Sequence, residues 1–329
     1  MTTFFLNRLA AEPHALAFAG QSTPWPVALA DQTTDPSLDE ALRGHVAAAG
    51  RLLTPVAADL LATTGRPVDL FGFAPNPARL GAAADATASV EGVALTQLGA
   101  LLDLEHLGYS VAQAKPLAVL GHSQGVLAVH MTRAIEAAGS IEAAGTTLDE
   151  ILAVAALIGA AGTRRVRELG LNPKYGEASP MLSVKGATRA QVEALVARVN
   201  NARGPISIAV TNSDNHHVLS GYPEDLAAFA LEAEREHQHQ AKLREQKLHG
   251  GTVFNPTLEY LEVTLPFHSP LMADAVEQTV AWAGACGFDQ KRTRALAEEV
   301  LLNHVDWNAR VKALFDDADP SKLWIVDLG

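Results

Sequence analysis

Residues 117–129 read LAVLGHSQGVLAV, one serine inside a short glycine frame with apolar residues on both sides. The run PLAVL before the frame has the composition of a buried strand, and residues 125–137 have the apolar spacing of a helix. Between them Gly121 and Gly125 mark a tight turn. Strand, sharp turn and helix in this order predict an α/β fold with the turn at the end of a sheet strand. The same residues fit the G-x-S-x-G pattern, in which the serine stands exposed on a strand-to-helix elbow. Flanking glycines let backbones approach closely, and the helix N-terminus behind offers amide dipoles to a developing negative charge. Ser123 reads either as a nucleophile or as a small residue at a structural turn, and this stretch alone leaves both open.

The rest of the chain fits that unit. Its 329 residues are 48% hydrophobic and 19% charged, enough for a large core in one or two domains. A net charge of −12 argues against a broad electrostatic grip on nucleic acid or an anionic membrane. The single cysteine, Cys286, excludes an intrachain disulfide and fits a reducing compartment. The apolar N-terminal stretch is interrupted by Asn7, Arg8, Glu12 and Pro13, unlike a signal peptide, and no later segment reads as a spanning helix. A cytoplasmic globular protein is expected. The end at LWIVDLG, a strand running into a glycine turn, suggests a segment of a longer polypeptide.

Along the chain, HALAFAGQ (14–21) reads as a short strand ending in a glycine turn, and residues 38–64 as helical. DLFGFAPNPARLG is a Pro/Gly loop, and residues 90–108 form a helix closed by Gly108. Thr147 is expected to cap a nearly all-apolar helix running through LIGAAG. From residue 180 the texture changes. MLSVKG, a helix capped by Thr188, ISIAVTN, HHVLSGY, a helix from Pro223 and the strand LEVTLPF spell β-α-β-β-α-β, the ferredoxin-like pattern. The charged stretch 234–251 after the last helix reads as a solvated helix end and loop. Its His237, His239 and His249 lack the carboxylate or thiolate partners of a metal site, so no metal is expected.

A nucleophilic serine needs a base. His268 in LPFHSPLM follows an apolar strand and precedes Pro270, which places it at a strand end, 145 residues after Ser123. The plainer reading is a histidine that caps a helix or lies in a loop. FAGQS (18–22) ends another strand, so a chain reversal there would bring the backbone N–H of Gln21 beside Ser123, opposite that of Gln124.

Taken together and in order, AFAGQS, LGHSQGVLAV, LIGAAG, MLSV, HHVLSG, LPFHSPLM and VDW…WIVDLG resemble the acyltransferase domain of type I fatty acid synthases. The resemblance covers essentially the whole chain. It is closest to the acetyltransferase domain of the bacterial multifunctional synthases and its fungal β-subunit relative, with malonyltransferases more distant.

The resemblance implies an α/β-hydrolase-like core, residues 1–179 and 266–329, carrying a ferredoxin-like insert over 180–265. It implies a Ser123–His268 dyad, an oxyanion hole from the amides of Gln21 and Gln124, and a backbone carbonyl from VLLN (300–303) orienting the histidine. His122 and Asn212 would line the acyl or coenzyme A site, although an elbow residue and a turn former are the plainer readings. Malonyl-specific relatives carry an arginine where this chain has Gly159 or Ala160, so an uncharged acyl group such as acetyl is implied. Arg164 and Arg165 lie a turn further on and would enter only under a shifted alignment. The implied reaction moves an acyl group, most simply the acetyl starter, from coenzyme A through a serine ester to the phosphopantetheine thiol of an acyl carrier protein. No cofactor would be held permanently, and other domains of a multifunctional synthase would be partners. Alternatives are a malonyl or palmitoyl transferase of the same fold, a serine thioesterase or esterase, and a catalytically silent scaffold domain.

Overall fold

In the computed structural model, Leu9 and residues 11–20, 24–65, 69–73, 85–171, 178–199, 204–246 and 253–329 are described. Two sheets organise the chain. The first is parallel and three-stranded, in the order β2–β1–β8, from β1 (His14–Phe18), β2 (Ala118–Gly121) and β8 (Trp324–Asp327). Its strands are joined through helices α1 (Trp25–Gln32), α2 (Pro36–Leu52), α3 (Ala57–Thr64), α4 (Ala86–His106), α5 (Val126–Ala138) and α6 (Ile141–Glu168). Parallel strands need such crossovers, and the helices cover the sheet.

Local chemistry sets the helix ends. Asp35 accepts from the amides of Ser37 and Leu38 with Pro36 at the first helical position, and Asp85 accepts from Thr87. The helical run expected over 38–64 is interrupted after Leu52, where Pro55 sits in a 3-10 turn and has no amide to continue the ladder. Gly108 ends α4 at φ 93°. The expected cap at Thr147 is wrong: α6 starts seven residues earlier, capped by Ser140, whose hydroxyl accepts from Ala143. By length and composition alone α6 is apolar enough to cross a membrane, against the sequence reading. Most of that stretch is buried, with α2, α4 and α5 packed around it, so its apolarity has a core explanation.

The second sheet has the order β6–β3–β5–β4–β7, from β3 (Met181–Lys185), β4 (Ser207–Ser213), β5 (His216–Ser220), β6 (Thr257–Tyr260) and β7 (Val305–Asp306). Its first four strands are antiparallel and, with α7 (Arg189–Arg198) and α8 (Pro223–Glu245), make the ferredoxin-like βαββαβ unit. Thr188 caps α7 in a reciprocal box with Gln191. One expectation changes here, and two features extend the reading. The last strand is Thr257–Tyr260, not LEVTLPF; that run leaves the sheet and buries Leu265 and Phe267 in the main core, which explains its apolarity. The charged stretch after residue 234 continues α8 to Glu245, helped by bonds of Gln238 to Glu234 and Gln240 to Glu236. The fifth strand, β7, comes from the C-terminal segment and pairs in parallel with β4. Helices α9 (Ala273–Ala285), α10 (Gln290–Leu301) and α11 (Trp307–Asp317) complete that segment.

Candidate active site

The serine turn is built on close backbone approach. A Cβ on Gly121 would lie 2.6 Å from the carbonyl of Gly125 and the amide of Val126. One on Gly125 would meet the carbonyls of Phe18, the last residue of β1, and of Ala19 just after it. Only glycine fits either place. Between them Ser123 takes φ 52°, a strained strand-to-helix turn of the G-x-S-x-G kind, and α5 begins at Val126. Gly20 is held to the same rule, because a Cβ there would lie 2.9 Å from the Ser123 Cβ and the His122 carbonyl. Gly20, the last described residue before Gln21, therefore packs against the elbow.

His268 meets Ser123 from the other side. Its Nε2 lies 2.7 Å from Ser123 Oγ and its Nδ1 2.8 Å from the carbonyl oxygen of Asn303. A carbonyl only accepts, so Nδ1 carries the proton and Nε2 presents a lone pair to the serine hydroxyl. His268 does not end a strand. It sits at φ 56° in a turn where the amide of Ser269 donates to the Leu301 carbonyl and the Ser269 hydroxyl accepts from Leu271. Burial pushes its pKa down to about 3, reinforced by the charges of His122, His304 and Arg310 and opposed by the Asn303 bond. The imidazole is neutral at pH 7, the form a base requires.

His122 faces the insert. Its Nε2 lies 2.8 Å from Asn212 Oδ1, and its ring stands edge-on to Trp307 at 5.3 Å. Burial lowers its pKa, Arg310 adds to this, and the Asn212 bond opposes it. The structure therefore brings Ser123, His268, His122 and Asn212 together. Gln124 follows Ser123 in the 3-10 turn leading into α5 and is wholly buried, whereas Gln21 lies outside the described residues. Gly159 has a packing reason of its own: a Cβ there would run into the carbonyl of Ala86 where α4 crosses α6. Arg164 is bonded to Glu168 and Gln278, and Arg165 to the Leu271 carbonyl and Asp274.

Several neighbours were not singled out in the sequence. Arg310 donates to the Gly121 carbonyl at 2.8 Å, His304 donates to the Ile208 carbonyl at 2.9 Å, and His216 joins Asn212. The signal available was the polar cluster NHVDWNAR following VLL. Among the described residues no group of three or more His, Cys, Asp or Glu side chains is arranged to hold a metal ion. His237 bonds the Phe254 carbonyl.

Residues 180–260 match the family model described as the fatty acid synthase central AT domain. Fatty acid synthase 2 of Mycosarcoma maydis is 30% identical over 168 residues, which are 48% of this chain and 4% of that protein's length. Among solved structures, an acyl carrier protein S-malonyltransferase from Vibrio cholerae superposes with TM-score 0.62 at 14% identity, covering 96% of this chain and 89% of that one. The malonyl-transacylase PlMCAT, solved in complex with a type II polyketide synthase acyl-carrier protein, gives TM-score 0.63 at 14% identity, covering 96% and 95%. At these identities the structural likeness is one of fold. These matches agree with the resemblance carried by the motifs.

Proposed function

Taking the chain as an acyltransferase domain of the fatty acid synthase kind, we propose that it moves an acyl group from a coenzyme A thioester to the phosphopantetheine thiol of an acyl carrier protein through an ester on Ser123. The observation that carries this is the 2.7 Å Ser123–His268 contact with the far side of the imidazole fixed by Asn303. Ser123 Oγ attacks the thioester carbonyl while its proton passes to His268 Nε2. The backbone amide of Gln124, and that of Gln21, receive the oxyanion. The C–S bond then breaks and the imidazolium returns the proton to the departing thiolate. In the second half the pantetheine thiol gives its proton to Nε2, its sulfur attacks the ester, and Ser123 leaves and is reprotonated. The insert sheet, joined to the elbow through Asn212, excludes bulk water so that the ester waits for a thiol.

The acyl group is read as acetyl. Gly159 and Ala160 carry no charge, and Arg164 and Arg165 are engaged with Glu168, Gln278, Asp274 and the Leu271 carbonyl. Both arginines are thus held by other groups rather than presented to a free carboxylate. The one thiol, Cys286, suits the reducing cytoplasm in which acyl thioesters are handled.

Intact mass after incubation with acetyl-, malonyl- and palmitoyl-coenzyme A tests the reading. A single acetyl adduct is expected, absent from S123A and discharged by a pantetheine thiol. A dominant malonyl adduct would transfer the assignment to malonyl. Labelling of S123A, or rapid release of free acid without any thiol, would overturn it.

A further inference from the structure

The core-facing side of the insert sheet carries a polar chain that the dyad does not use. Asn212 lies in a bulge of β4, where the pairing with β5 shifts between Thr211 and Ser213. A bulge re-aims the side chain it carries, and bulges recur next to active sites. Here the carboxamide sits between two imidazoles: Oδ1 is 2.8 Å from His122 Nε2, and Nδ2 is 3.5 Å from His216 Nε2. His216 Nε2 also lies 3.1 Å from the hydroxyl of Ser183, which is buried on β3. The elbow residue beside the nucleophile is thus connected to three neighbouring strands of the insert.

Donor and acceptor types fix the order of protons along this chain. Oδ1 accepts, so His122 carries its proton on Nε2. Nδ2 can only donate, so His216 Nε2 meets it as a lone pair, and the Ser183 hydroxyl, free to donate or accept, turns its proton to the same atom. The Nδ1 edge of His122 is packed on Gly20, and the ring edge on Trp307. We propose that Asn212 and His216 are positioning residues that hold His122 as its Nε2–H tautomer, so that the insert sets the hydrogen-bonding state of the residue beside Ser123.

The device is sensitive to the charge on His216. A proton on His216 Nε2 turns that atom into a donor, which the Ser183 hydroxyl at 3.1 Å can accept but which opposes the Asn212 Nδ2 donor and favours a carboxamide turned to present Oδ1. Nδ2 then faces His122, whose Nε2 must accept, and its proton moves to Nδ1. The groups around His216 oppose that charge. Lys185 is its register partner on β3, held by Glu259 of β6 at 3.4 Å; His217 is its neighbour on β5, and His122 faces it from the core. Burial, Lys185, His217 and His122 lower its pKa below the ordinary 6.5, so it is neutral at pH 7 as the lone-pair role requires.

The kinetic side of this inference rests on the acyl-transfer reading; the tautomer does not. Long-range 1H–15N spectra of the histidine-labelled chain should show His122 protonated at Nε2 at pH 7.5, and a mixture of tautomers in N212A and H216L. In single-turnover acylation by acetyl-coenzyme A, N212A and H216L should each be slower by roughly tenfold, the equivalent of one lost positioning hydrogen bond. H216Q, whose amide oxygen can still accept, should restore most of the H216L rate. Its acid limb below the ordinary imidazole range should be weaker than that of the wild type, what remains belonging to His122, whose pKa is also lowered, and to His268 near pH 3. A wild-type His122 protonated at Nδ1, or a tautomer unchanged in both N212A and H216L, overturns the proposal. If wild type is not acylated by any donor, the transfer reading falls while the tautomer measurement still decides this one.

Discussion

Ser123 and His268 both hold positive φ, 52° and 56°, and neither is a glycine. Each such conformation costs on the order of 1–3 kcal/mol, which the surrounding structure must sustain. At Ser123 that structure is the glycine frame; at His268 it is buried Phe267, the Ser269 turn and the Asn303 carbonyl. The same burial ties His268 to folding through protons. An unfolded chain binds a proton on this residue near pH 6.5, whereas the folded chain refuses it until about 3. The stability contributed by the neutral ring is therefore full above 6.5 and is lost as pH falls from 6.5 toward 3. In H268Q the group that titrates is gone while the amide can still donate to Asn303. Urea midpoints at pH 7 and pH 5 should fall less in H268Q than in wild type, and acylation should slow by roughly 10²–10⁴-fold. Equal losses of midpoint in the two proteins would mean that His268 is solvated.

At the scale of elements, α6 carries two glycines with opposite meanings. Gly159 meets the Ala86 backbone at the α4 crossing, whereas nothing lies within 4 Å of a Cβ on Gly145. G159A should destabilise by about 1–3 kcal/mol through overpacking. G145A should stabilise by roughly 0.5–1 kcal/mol, because alanine loses less backbone entropy in a helix. Chemical denaturation of both variants checks the pair, and a harmless G159A would show that α4 and α6 can slide apart there. Elements of this kind were legible in the sequence where the cause is local. The GHSQG turn, the Thr188 cap and the βαββαβ order each follow from residues a few positions apart. The start of α6 was not, because the apolar spacing only becomes regular after Thr147 while the cap that works is Ser140. LEVTLPF was read as a strand from its composition, yet its apolar residues serve the core. In the site, Ser123 and His268 each announced themselves by motif. The carbonyl that the resemblance placed in VLLN is that of Asn303, whereas the roles of Arg310 and His216 depend on contacts across sheets and on a bulge, which no spacing encodes.

For the whole molecule, the sequence pattern suggested a core and a separable insert, and two hydrophobic clusters exist. The sheet between them belongs to both. Leu182, Val184 and Leu219 pack with Val192, Leu195, Leu226 and Phe229 on the insert side, while Met181, Val210, Val218 and Tyr222 belong to the main cluster. The C-terminal segment adds to this: β7 pairs with β4, Arg310 holds the Gly121 carbonyl, and Asp214 accepts from Asn308 and Lys312 at 2.7 Å each. The Asp214–Lys312 pair is exposed and screened by water, so the shared apolar face carries the coupling. Core and insert should therefore unfold as one unit. All four tryptophans (Trp25, Trp282, Trp307 and Trp324) lie outside the insert, so their emission follows the core while far-UV ellipticity follows both parts. The two signals should give one coincident urea transition. V210A, which empties part of the shared face, should lower it by about 1–3 kcal/mol without splitting it, whereas D214A should leave the midpoint nearly where it is in the wild type. An ellipticity transition at lower urea than the emission transition would show that the insert opens alone. The Asn212–His122 contact would then be made and broken with it.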